Sequence, residues 1–174
     1  MKKLSMSALN RITPDEFKKR PKIPVMVILD NIRSMGNVGS IFRTCDAFTV
    51  EKLYLCGITA TPPHKDITKT ALGATETVEW EYAENVVDLV KNLKKNNIKI
   101  YLVEQTDISV LLHQFQFPGE KIALILGNEV FGVAEDLLPL CDGAIEIPQR
   151  GTKHSLNVTI AAGIVLWELF KRKS

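Results

Sequence analysis

A chain of 174 residues, 45% of them apolar, is sized for one domain with a proper core and is too apolar to be disordered. No apolar run reaches the length of a membrane span. The net charge of +2 conceals an asymmetry: residues 1–22 carry +5 and the remainder −3.

The chain divides into a basic N-terminal arm, 1–22, and a single domain, 23–174. The arm suits a polyanion such as RNA, although a merely solvated tail has the same composition. Its start, MKKL, runs into polar SMSALNRITPDEF and not into an apolar signal core, so a cytoplasmic chain is expected. Cys45, Cys56 and Cys141 have no CxxC spacing and fit free thiols in a reducing compartment.

Strands are expected at 25–29 (VMVIL), 52–56 (KLYLC), 98–103 (IKIYLV), 121–126 (KIALIL) and 143–147 (GAIEI). Several are continuous apolar runs, the pattern of strands buried on both faces of a mostly parallel sheet. Helices are expected at 37–48, 66–72, 83–96, 134–140 and 155–172. The alternation argues an α/β domain with helices flanking the sheet. Ligands of such sheets bind beyond the carboxyl ends of the strands. Unusual loops follow three of the strands: DNIRSMGN at 30–37, GNEVFG at 127–132 and PQRGTKHSLN at 148–157.

On the first helix Val38, Ile41, Phe42, Cys45 and Phe48 form one stripe, with Arg43 nearly opposite. Arg43 is therefore either an ordinary solvated arginine or an anion contact near the strand ends. In the second loop Gly127 permits close backbone approach, and Asn128 and Glu129 place side chains at the sheet edge. The plainer reading is a strand-to-helix turn. In the third, Ser155 or Asn157 suits a helix cap. The helix beyond is apolar almost all round, so it needs burial on several sides, a partner subunit being a natural candidate. His64, His113 and His154 lack metal-ligand spacing, so no metal is expected. GxxxxGK[ST] and GxGxxG are both absent.

Taken together the three loops resemble the three motifs of the SpoU (TrmH-type) RNA ribose methyltransferases of the SPOUT superfamily. The matches are Asn37, Arg43-Thr44 and Ala47-Phe48; then Leu126 to Glu129 with Gly132; then Ile147-Pro148, Gly151 and Ser155 to Val158. VEQT at 103–106 and EIPQRG at 146–151 look most similar to the branch that methylates a guanosine of the tRNA D-loop. The chain departs from the family pattern at Gly36, Thr49, Val130, Phe131 and Gln149.

The resemblance implies an α/β knot of the SPOUT type: a mostly parallel sheet flanked by helices, with a C-terminal deep trefoil knot. It implies a homodimer with active sites at the interface. It also implies S-adenosylmethionine held mainly by backbone groups near Val103, Glu104, Gly127, Ile147, Ser155 and Leu156. The implied reaction is methyl transfer to a ribose 2′-OH. Arg43 would grip a phosphate and stabilise the reacting oxygen, since a guanidinium with a pKa above ~12 is a poor base. Asn37 would orient Arg43 or the ribose, Glu129 would fix the second loop or bond Asn37, and Ser155 and Asn157 would position cofactor and ribose. Arg33, Arg150 and Lys153 would contact phosphates. Rival readings are an rRNA or tRNA wobble-position target, and a non-catalytic RNA-binding module on the same scaffold.

Overall fold

The computed structural model describes residues 1–5, 8 and 12–172. Seven strands form one sheet: β1 Ile23–Asp30, β2 Val50–Cys56, β3 Trp80–Ala83, β4 Lys99–Val103, β5 Val110–Leu111, β6 Ile122–Leu126 and β7 Gly143–Glu146. Their order is β3-β2-β1-β6-β4-β7-β5, and each neighbouring pair is parallel. The helices are α1 Pro14–Lys19, α2 Met35–Ala47, α3 Lys65–Ala71, α4 Ala74–Thr77, α5 Val86–Lys95 and α6 Val158–Lys171. Glu135–Leu140 is a 3₁₀ helix.

The strands lack apolar–polar alternation because both faces of the sheet are covered. Val25, Val27 and Leu29 of β1 pack with Val38, Ile41 and Phe42 of α2 and Val165 and Leu169 of α6. Met26 and Ile28 point the other way, toward Val90 and Leu93 of α5 and Leu137 of the 3₁₀ helix. Period-two geometry sends successive side chains to opposite faces, so a strand between two cores must be apolar throughout.

The helix starts follow local chemistry. Ser34 caps α2, accepting a bond from the Asn37 N–H, and Asn157 caps α6 through Thr159. The α6 cap makes that helix begin at Val158, later than the pattern suggested. Thr13 and Glu16 form a reciprocal capping box that starts α1.

Register fixes what lies beyond the sheet. Leu29 of β1 pairs with Leu126 of β6, Leu102 of β4 with Ile125 of β6, and Val103 of β4 with Ile145 of β7. Four adjacent strands therefore end at nearly one level, and the segments after β1, β6, β4 and β7 emerge side by side. β6 lies between β1 and β4, so connections diverge on either side of it. That is the kind of crevice in which open parallel sheets bind ligands.

Candidate active site

Glu129 joins the first two loops. Its carboxylate accepts from the Arg33 N–H at 3.0 Å, the Ser34 N–H at 3.1 Å and the Asn37 side-chain amide at 2.9 Å. These donors sit at the start of α2, where free N–H groups and the helix dipole favour an anion. Burial, the largest single influence on this carboxyl, would raise its pKa. The bonds from Arg33, Asn37, its own backbone N–H and Ser34 together outweigh it and hold the group below its ordinary value.

Asn37 extends the network to the third loop. Its carbonyl oxygen accepts from the Asn157 amide at 3.4 Å, a long bond. The Asn157 carbonyl oxygen accepts from the Thr159 N–H at 2.8 Å and its hydroxyl at 2.6 Å. One chain of side chains, Glu129–Asn37–Asn157, thus ties together segments 92 and 120 residues apart in sequence.

The second loop is a stiff turn. Asn128 and Gly132 exchange backbone bonds of 2.9 Å each. The Asn128 carbonyl oxygen accepts from the Val130 and Phe131 N–H groups, while its amide donates to the Asn31 carbonyl at 2.6 Å. A Cβ at Gly127 would overlap the Gly132–Val133 backbone, so this position needs glycine. Glu104 accepts from the Gln105 N–H at 2.9 Å and the Val133 N–H at 3.4 Å, and the Gln105 amide donates to the His154 carbonyl. These bonds fasten the segment after β4 to the second and third loops.

The loops enclose an open cavity of about 590 Å³. Val103, Glu104, Gly127, Ile147, Ser155 and Leu156 all line it, and so do Glu129 and Asn157. Asn37 does not line it but is bonded to both of those residues. Leu126, Ile145 and Val158 supply an apolar floor, and the carboxylates of Glu104 and Glu129 supply negative charge. The cavity lies within the size range of small-molecule sites. Apolar walls beside carboxylates suit a ligand with a flat aromatic part and a cationic part. Ser155 is exposed and plays no capping role, which falls to Asn157.

Arg43 is not among the lining residues. It is exposed on α2, six residues beyond Asn37 and roughly 9 Å further along the axis. Arg33, Arg150 and Lys153 are exposed as well, Arg33 next to the Glu129 clamp and the other two in the third loop. Asn31 and Gln105 are contributors not singled out from the sequence by role, and Asn128, expected at the sheet edge, also proves to stiffen its own turn. Their signal is that of short amides in turns, which bond the local backbone. Among the described residues no group of three or more His, Cys, Asp or Glu is placed to hold a metal ion.

Known proteins are similar to this chain in sequence, and solved structures are similar to it in fold. An uncharacterized tRNA/rRNA methyltransferase of Synechocystis is 32% identical over 91% of this chain, which spans 41% of that relative's length. A tRNA (guanosine(18)-2′-O)-methyltransferase of Thermus thermophilus is 28% identical over 91% of this chain and 80% of its own. The AdoMet-bound rRNA methyltransferase of Sinorhizobium meliloti superimposes with a TM-score of 0.80 at 26% identity, covering 91% of this chain and 59% of that one. The profile of the SpoU rRNA Methylase family matches residues 24–167, and the chain belongs to that family.

Proposed function

We propose that this chain transfers a methyl group from S-adenosylmethionine to a ribose 2′-hydroxyl of RNA, with a guanosine of the tRNA D-loop as the favoured target. The observation that carries the reading is the Glu129–Asn37–Asn157 chain at the mouth of a cavity with an apolar floor and two carboxylates.

The residues present fit the cofactor. Leu126, Ile145, Ile147 and Val158 suit an adenine and its sugar, and Glu104 and Glu129 suit positive charge. When bound, S-adenosylmethionine supplies a methyl carbon activated by the positively charged sulfur that carries it. The protein's task is then alignment, because the attacking oxygen must lie in line with that carbon and the leaving sulfur. The hydroxyl proton must also leave as the new bond forms, and the open cavity lets it pass to solvent water. Asn37 and Asn157 hold the ribose, their own orientation fixed by Glu129 and Thr159. The Arg43 guanidinium grips the adjoining phosphate in a bidentate fork and stabilises negative charge growing on the oxygen.

Arg43 lies outside the cavity of its own chain, so the reading places it in the cavity of a second copy. Ile160, Ile164 and Trp167 recur on one side of α6 at 53%, 38% and 52% exposure, an apolar stripe suited to a homodimer. Such a dimer, together with a C-terminal trefoil knot, completes the architecture that the motifs imply. Arg33, Arg150, Lys153 and the basic arm contact phosphates, which lets a nearly neutral protein bind RNA locally. Three free thiols, two of them buried, accord with a reducing compartment.

A second reading, an rRNA target, is favoured by the Sinorhizobium neighbour. The test offers tRNA and rRNA together with labelled S-adenosylmethionine. Label in tRNA is expected, label in rRNA alone selects the second reading, and cofactor uptake without transfer to any RNA contradicts both.

A further inference from the structure

Resting on that reading, we propose that Phe131 is a stacking platform for a nucleobase of the substrate RNA, and so a positioning residue of the methylation site. Phe131 is 84% exposed, the greatest exposure of any aromatic residue among the described residues that lie outside the core. It lines the mouth of the cavity beside Val130, which is 62% exposed. An apolar ring left exposed in the single chain at a ligand site calls for an occupant.

The ring is presented by a backbone with little freedom. Asn128 accepts from the N–H groups of both Val130 and Phe131, and Asn128 and Gly132 close the turn with two backbone bonds. Gly132 sits at φ +68°, a left-handed conformation suited to glycine, which completes the reversal. The turn is anchored to the first loop through the bond from the Asn128 amide to Asn31. Phe131 is thus pre-positioned, and a base stacking on it pays little ordering entropy on the protein's side.

The occupant follows from position. Phe131 is two residues from Glu129, whose carboxylate fixes Asn37 at the proposed ribose seat. In any nucleotide the base is bonded to the sugar carbon next to the one bearing the 2′-oxygen. A ribose seated at Asn37 and Asn157 therefore brings its own base, or that of its neighbour, to the mouth of the cavity. The apolar floor of Leu126, Ile145 and Ile147 is available to an adenine deeper inside, and the outward ring is available to the RNA. Every base offers a π-face, so stacking secures the nucleotide without reading its identity.

The test measures methyl transfer to unfractionated tRNA, with S-adenosylmethionine affinity by calorimetry and sedimentation as controls. For Phe131→Ala the expected result is a KM for tRNA raised roughly tenfold, the size of one lost base–aromatic stack. Cofactor affinity and sedimentation should stay at wild-type values. Phe131→Trp should restore the KM, and Phe131→Leu, apolar but not aromatic, should leave it raised. An unchanged KM in Phe131→Ala, full rescue by Leu, or a change in sedimentation or cofactor affinity overturns the proposal while leaving methyl transfer itself standing. Absence of transfer to any RNA by the wild-type protein removes the proposal along with the function on which it rests.

Discussion

Glu129 is the residue on which the candidate site turns, because one carboxylate collects donors from the first loop and the start of α2. Its pKa is held below its ordinary 4.5 in the fold. A depressed carboxyl contributes stability that is fully present above its unfolded value and is lost as pH falls through its folded value. Glu129→Gln is therefore expected to flatten the acid side of the stability profile below about pH 4.5. Thermal melts across the acid range check this, and an unchanged acid limb would contradict the role. At this scale the sequence was informative about chemistry, and the family resemblance offered Asn37 as one partner for Glu129, a bond the structure contains. The bond from Asn157 to Asn37 and the backbone donors of Arg33 and Ser34 were not foreseen, because they depend on strand order, which no local pattern encodes. Phe131 was visible only as a departure from the family pattern, since a turn position gives no sign of whether its side chain folds inward or stands in water.

Among the elements, α2 packs tightly on α3. Gly39 is buried against α3, where a Cβ would overlap the Ile67 carbonyl oxygen and the Thr70 hydroxyl. Backbone cannot yield as a flexible side-chain end does, so Gly39→Ala is expected to cost roughly 1–3 kcal/mol. A urea titration should then find a lower midpoint with an unchanged slope. Five of the seven strands were legible, β1 and β6 most plainly, because burial on both faces leaves a continuous apolar run; α2 and α5 were legible from their period and α6 from its long apolar run. Three shorter elements were not. β3 reads WEYA, an edge strand half in water and with few apolar residues. β5 has two residues and α4 four, too short for any periodicity to register. The stretch 134–140 carries a helical pattern but forms a 3₁₀ helix with Pro139 inside it. α1, begun by the Thr13–Glu16 capping box, was not expected, because its segment was read only for its charge.

For the molecule as a whole, the sequence conveyed a parallel α/β sheet but not the insertion of β6 between β1 and β4, which creates the crevice. The apolar circumference of α6 was legible, and Ile160, Ile164 and Trp167 remain partly exposed along it in the single chain. No helix among the described residues is long and apolar enough to cross a membrane. If Arg43 serves the partner's cavity, inactive Arg43→Ala and inactive Glu129→Gln subunits should regain activity when mixed. The Arg43→Ala subunit keeps an intact cavity, and the Glu129→Gln subunit supplies the guanidinium. An Arg43 that serves its own cavity gives no recovery.

The most direct measurement of the central claim is the position of the transferred methyl group. RNA labelled by the wild-type protein and by Arg43→Ala would be digested to nucleosides and resolved by mass spectrometry. The account predicts a 2′-O-methylated guanosine from the wild type and none from Arg43→Ala, with cofactor affinity in the variant nearly intact. A methyl group on a base, or undiminished ribose methylation by Arg43→Ala, would contradict it.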